Sequence, residues 1–406
     1  MQSRKIVCGL VLCALAAAAE TAADWMLQGQ AYKAKGDASA ALRAFEKALS
    51  LDPRSPQIED EIGFILAATN RRDEAIGHFE RAIQLDPRFA PAHYHLGVAY
   101  WLGQDPNRSI PELEAAVKLR GNDGDYRYRL GSAYNSVGHY EDAVREWREA
   151  VKLQPKNAAA WNECGLALQK SGDLPKAVES YRRAVELDPK NADAHNNLGL
   201  ALVSTREAEA AIVQFQKVLE LEPGNTMARI NIGFAYLQKA DLDKAVAHFK
   251  AVLADHPDLP IAHYDLGVAL KQKDDLESAQ VELKRALELD PDLADAHYTL
   301  GIIYWQSGDF DNTAEHMKAA VRLRPDYQQA HYMLGTALKQ KGDAEGAIPA
   351  LREAIRLNPD DPGPYNTLGQ ILRQKGDVEG SREAFAEGAK AKARIDAHSA
   401  EMLRKK

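Results

Sequence analysis

Residues 158–191 read AAAWNECGLALQKSGDLPKAVESYRRAVELDPKN, and this stretch decides the fold. Asn157 precedes it as a cap for a first helix from Ala158 to about Ser171. Gly172 suits a left-handed residue just past that helix. Asp173 caps a second helix, and Pro175 falls in its first turn, where a missing N–H is harmless. The second helix ends near Leu187, because Pro189 forbids continuation. Trp161, Cys164 and Leu168, then Ala177, Tyr181 and Ala184, recur at steps of three and four. Gly165 and Ala177 are small where two helices approach closely, and Tyr181 is large where a gap would remain.

Working outward, the same pattern returns every 34 residues in both directions. One marker is glycine: Gly29, Gly63, Gly97, Gly131, Gly165, Gly199, Gly233, Gly267, Gly301, Gly335 and Gly369. A second is proline: Pro53, Pro87, Pro155, Pro189, Pro223, Pro257, Pro291, Pro325 and Pro359, with Gly121 at the missing place. A third is the pair Gly-Asp at Gly36, Gly172, Gly308, Gly342 and Gly376. A constant period without insertion marks a repeat architecture. The reading is all-α: about eleven helix-turn-helix repeats over residues 22–395, starting near 22, 56, 90, 124, 158, 192, 226, 260, 294, 328 and 362. One hairpin buries too little surface to offset its ordering entropy, so stacked neighbours must supply the core.

The array resembles the tetratricopeptide repeat family. In repeat one the family's series appears as Trp25, Gly29, Tyr32, Ala41, Phe45, Ala48 and Pro53. Ala194 to Gly199 (AHNNLG) is similar to the repeats attached to protein O-linked N-acetylglucosamine transferases, although no stretch remains for a catalytic domain. The resemblance implies a right-handed superhelical solenoid whose first helices line a concave groove. It also implies binding of protein or peptide partners. The family's clamp for a C-terminal carboxylate is not matched: its Lys/Asn pair reads Met26 and Gln30, or Tyr94 and Val98.

The ends depart from the pattern. Gln28 is polar where other repeats place an apolar residue, which suits a terminal face. Residues 389–406 contain no helix breaker and are expected to continue as a helical cap on the last repeat. Repeat three is irregular, with Pro106, Pro111 and Gly121; Pro349 stands at the place equivalent to Pro111. Residues 1–23 are read as a signal peptide: Arg4 and Lys5, an apolar run from Ile6 to about Ala19, and small exits at Ala17–Ala19 or Thr21–Ala23. The run falls short of the roughly 20 residues that span a bilayer. The expectation is therefore export to a periplasmic or secreted location, with an uncleaved N-terminal membrane anchor as the alternative and no span in the mature chain.

Composition narrows the function. Apolar residues make up 45%, charged residues 27%, and the formal charge is -8. A mild acidic excess with mixed charges argues against a nucleic-acid partner. Of three cysteines, Cys8 and Cys13 lie in the leader, so Cys164 stands alone at a core position, without an intrachain disulfide. No phosphate loop, H-E-x-x-H or G-x-S-x-G occurs. His93, His195, His263, His297 and His331 share one repeat position. Helices pack about 8–10 Å apart and zinc–nitrogen bonds are about 2 Å, so ladder neighbours are too distant to share an ion. No metal, no cofactor and no enzyme activity are expected.

The groove positions carry an informative set. One column holds Tyr94, Tyr128, Tyr264, Tyr298 and Tyr332, with Asn162, Asn196 and Asn366 elsewhere in it. The next column holds Asn197 and Asn231. Trp101 and Trp305 lie seven positions beyond the tyrosines, followed by Gln238, Gln272, Gln306, Gln340 and Gln374. Amides both donate to and accept from an extended backbone, and aromatics give contact area at low rotamer cost. The expected function is an exported scaffold that binds peptide segments or partner proteins. The alternatives are a membrane-tethered envelope assembly factor, an accessory subunit of a protein-modifying, glycosyltransferase-like complex, and self-association through terminal repeats.

Overall fold

Caps and turns punctuate the chain as its small and polar residues demand. The computed structural model describes residues 20–404, so Cys8, Cys13 and most of the expected leader lie outside the described residues. In repeat five the Asn157 side chain accepts from the Ala160 N–H at 3.0 Å, and the helix runs Ala158–Lys170. Gly172 takes φ +88°, and the Asp173 N–H closes back onto the Leu168 carbonyl at 2.8 Å. That bond belongs to the glycine-terminated helix stop, which satisfies otherwise orphaned carbonyls. Asp173 then caps the second helix, Leu174–Leu187, through the Lys176 N–H at 3.3 Å.

Repetition of this hairpin produces eleven pairs of helices and, among the described residues, no strand. First helices are 13 residues long and second helices 14, apart from the last. The left-handed turn recurs in every repeat. Glycine occupies it six times, and Asn70, Gln104, Arg206, Ala240 and Asp274 occupy it otherwise. Pro111 and Pro349 both sit inside second helices without ending them.

The core forms where each glycine of a first helix meets a large residue of its partner helix. A Cβ on Gly165 would lie 2.7 Å from Tyr181, and one on Gly233 would lie 2.6 Å from Phe249. Phe45, Phe79, Trp147, Tyr181, Phe215 and Phe249 fill this place and are fully buried. Burying one such ring contributes roughly 1.5–3 kcal/mol. Cys164 is buried in the same core, and burial pushes its thiol pKa up, which disfavours a reactive thiolate.

The repeats group into two compact bodies, dividing between Ala194 and His195 inside the first helix of repeat six. The last helix, Val378–Arg404, is a single element, so the tail continues the second helix of repeat eleven. Ala391 is buried, whereas Lys392 to Ala400 are exposed. Arg394 ties this stretch back through Asp360 at 2.5 Å and the Pro359 carbonyl at 2.8 Å. At the other end, Thr21 caps the first helix and forms a reciprocal capping box with Asp24.

Candidate peptide-binding groove

The first helices present three bands of side chains, each with its own register. In most repeats the fourth residue of the first helix closes the repeat onto the preceding loop, whereas Glu59 in repeat two instead meets His78 and Arg81. His93, His263, His297 and His331 all approach the carbonyl six residues back, at 2.9–3.1 Å. Trp161, Arg229 and Tyr365 donate to the equivalent carbonyl in their own repeats. The shared requirement is a donor of the right reach, not an imidazole. His93 also meets Glu112 through Nδ1 at 2.7 Å. A carbonyl and a carboxylate both accept, so both contacts hold together only in the imidazolium, and Glu112 raises the His93 pKa. Repeat nine differs. His297 Nδ1 faces His316 Nδ1 at 2.9 Å, and burial, then His297, pushes His316 down to about 4. Among the described residues, no group of three or more His, Cys, Asp or Glu could hold a metal ion.

The middle band comprises the fifth, sixth and ninth residues of each first helix. The sixth residue meets the fifth residue of the preceding repeat, 35 positions earlier. Thus His95 Nδ1 lies 2.8 Å from Asp60 Oδ1, and Asn231 Nδ2 lies 3.5 Å from Asn196 Oδ1. The ninth residue flanks the same contact: Phe64 and His95 have ring centroids 5.5 Å apart. Lys33 Nζ stands 3.9 Å over the Phe64 ring and pairs with Glu61 at 2.7 Å.

Several aromatic residues of the first helices are already engaged. Tyr94 stacks on Tyr126 with centroids 4.4 Å apart. Arg129 lies over Trp101 at 4.6 Å and Tyr128 at 5.9 Å, with its Nε buried and unsatisfied. Tyr298 packs on Tyr327, which is itself covered by Arg324 and donates to Asp295 at 3.1 Å. Burial raises the pKa of Tyr94, Tyr128, Tyr264 and Tyr298, so all remain neutral donors at physiological pH. Two carboxylates in the sixth column are pushed up by burial: Glu163, and Asp265 to about 7.

The third band lies at the turn ends of the helices, roughly 10 Å along from the tyrosines at 1.5 Å per residue. Trp101 borders a cleft of about 470 Å³ with Leu102, Gln104, Pro106 and Ser136. Trp305 packs on Phe310 of its own hairpin at 5.1 Å. Gln238, Gln272, Gln306, Gln340 and Gln374 are the last residues of their helices and are exposed. Gln238 Nε2 donates to the Val203 carbonyl at 3.1 Å, so this amide caps the preceding repeat's helix end. Tyr332 lies against Gly363, where a Cβ would meet its hydroxyl at 2.9 Å. The sequence-predicted residues therefore split into a mid-helix band (Tyr94, Tyr128, Asn197, Asn231, Tyr264, Tyr298, Tyr332) and a turn-end band. Sequence reasoning missed His95, Arg129, Glu163, Phe234 and Asp265. Four of them share the column that holds Asn197 and Asn231, but their residue types do not repeat, so the column position alone could have pointed to them.

Models of the tetratricopeptide repeat match residues 22–55, 63–103, 90–123, 131–172, 170–205, 202–266, 269–308, 298–362 and 332–397. The chain belongs to the tetratricopeptide repeat family. No curated protein matches it significantly in sequence. Among solved structures, a tetratricopeptide repeat protein from Parabacteroides merdae ATCC 43184 is 15% identical, with TM-score 0.52, over 61% of this chain and 98% of that one. That likeness is one of fold. YrrB, described as a TPR protein with an unusual peptide-binding site, is 24% identical over 46% of this chain and 97% of its own, with TM-score 0.44. MamA is 28% identical over 43% of this chain and 95% of its own, with TM-score 0.38. No helix among the described residues of this tetratricopeptide array is long and apolar enough to cross a membrane.

Proposed function

We propose that this tetratricopeptide repeat protein is a non-enzymatic scaffold that holds extended segments of other polypeptides against its first helices. One observation carries the reading. In repeats six and seven the mid-helix band presents exposed apolar groups beside half-buried amides. Leu200 is 37% exposed and Phe234 43%, beside the amides of Asn196 and Asn231. None of these side chains belongs to the glycine–aromatic core that holds the hairpins. Amides offer both partners that a peptide backbone needs, and exposed aromatic area supplies affinity.

The test is capture of peptides from an array of random decapeptides. Phe234→Ala is expected to reduce capture several-fold while the melting temperature shifts little. Trp101→Ala tests the turn-end band in the same way. Retained capture by both variants refutes the groove reading. Self-association is the rival, and light scattering across concentration separates the two: dilution-dependent mass supports the frame, a constant monomer opposes it.

We further propose export, with the leader removed after Ala19. Cleavage there keeps the Thr21–Asp24 capping box on the first helix, whereas cleavage after Ala23 removes the cap. Mass spectrometry of the native protein should find Glu20 at the N-terminus. An intact Met1 supports the tethered assembly factor instead. A role as accessory subunit of a modifying enzyme rests on the AHNNLG resemblance alone.

A further inference from the structure

On the 35-residue ladder two carboxylates face an apolar residue: Glu61 faces Met26 and pairs instead with Lys33, and Asp265 is the other. Asp60 meets His95, and Asn196 meets Asn231. In the same register, Tyr264 precedes Thr299, whose hydroxyl works against the burial-driven rise of the tyrosine pKa. Asp265 occupies the sixth place in repeat eight, and the residue 35 positions earlier is Ile230, which is buried and has no polar side-chain atom. Among the described residues, no cation pairs with Asp265, and burial alone raises its pKa. Asp265 is half-buried, and a partly desolvated carboxylate without a cation is unfavourable, since loss of hydration is normally compensated by pairing.

The ninth column completes the geometry. Phe234 stands where Phe64 stands in repeat two. Phe64 carries the Lys33 ammonium over its ring, and the same ammonium pairs with a carboxylate, Glu61. So the chain itself shows that an ammonium, a phenyl face and a carboxylate fit together on this face. Around Phe234, Asn231 stands where Glu61 stands, and Asp265 stands where His95 packs 5.5 Å from the Phe64 ring; among the described residues no lysine or arginine lies over the Phe234 ring.

We propose that Asp265 and Phe234 form a receptor for a basic side chain, lysine or arginine, of a polypeptide held along the second body. The aliphatic stem lies on the Phe234 ring and the charged head reaches Asp265, so the guest supplies the missing cation. The arrangement combines a cation–π contact with a charge-assisted hydrogen bond. Asn231 flanks the site and is placed to bind the guest's backbone. This inference rests on the groove reading and narrows it to basic segments.

The experiment uses the full chain and an array of decapeptides with random flanks and one fixed central residue: lysine, arginine, norleucine or glutamate. The wild type should favour lysine and arginine over norleucine by about tenfold, the scale of one hydrogen bond to a charged group. Asp265→Asn should erase that preference, leave norleucine peptides bound, and raise the melting temperature of the free protein. Phe234→Leu should weaken basic peptides several-fold and keep their rank above norleucine. A wild type that binds all four classes equally overturns the charge inference and leaves the groove reading standing. A wild type that binds none overturns both. An Asp265→Asn protein that melts lower and loses every peptide class assigns the carboxylate a structural role and also overturns the proposal.

Discussion

Asp60, Phe64 and His95 in the first body occupy the same three places as Ile230, Phe234 and Asp265 in the second. In the first set the carboxylate holds the imidazole at 2.8 Å, the imidazole packs on the phenyl ring, and Lys33 covers that ring. The site is complete within the chain. In the second set the carboxylate has moved to the other rung and an isoleucine has replaced its partner. One backbone register thus presents a closed surface in one place and a receptive one in another. Position in a repeat decides where a side chain stands; the residue 35 places away decides whether it is free.

The comparison assumes identical scaffolds beneath the two sets, which can be broken by truncating the cores. Phe79→Ala and Phe249→Ala should each cost about 3–5 kcal/mol by denaturant unfolding, because each empties the space over a helix glycine. Unequal losses would mean that the two bodies differ below the surface. Converting the first site to the second is the next test. Asp60→Ile should cost about 2–3 kcal/mol, since Asp60 is buried and His95 loses its partner. It should also make the first body capture acidic decapeptides that the wild type ignores.

The histidine rungs sharpen the same contrast through pH. His93 has a raised folded pKa, so its stabilisation is present in acid and is lost as pH rises through that folded value. His316 has a folded pKa near 4, below its unfolded value, so its stabilisation is present at neutral pH. That contribution is lost as pH falls from about 6.5 towards 4, by roughly 2 kcal/mol after allowing for partial exposure. His316→Gln should flatten the acid side of the melting profile and leave the alkaline side unchanged. The smallest effect is expected at the turns. Ala240→Gly should raise stability by about 1 kcal/mol, because Ala240 holds φ +56° with a Cβ in the way. The same change at Gly172 is already made by nature, and Gly172→Ala should reverse the sign.

Much of this was legible beforehand. Gly165 facing Tyr181, the Asn157 and Asp173 caps, and the stop at Leu187 are all local consequences of residue size, donors and acceptors. The left-handed turn was legible only where glycine marks it. Arg206, Ala240 and Asp274 adopt the same conformation without the signal, because packing of the hairpin imposes it. The groove was half legible. Tyrosine and amide columns stood out by repetition, but Tyr94 and Tyr298 turn out to be packed on Tyr126 and Tyr327, from neighbouring repeats. Trp305 was expected on a binding surface, and it packs on Phe310 and against the neighbouring core. Asp265 was overlooked, because a lone residue in a mixed column carries no periodic signal.

By itself the sequence determined the period, the hairpin and the small-to-large core, since each depends on contacts within one repeat and is written eleven times over. Only the tertiary structure decided which surface side chains are spoken for. That outcome depends on offsets of 31 and 35 residues between neighbouring repeats, where a single exchange such as Asp60 for Ile230 leaves the fold unchanged and alters what the surface can hold.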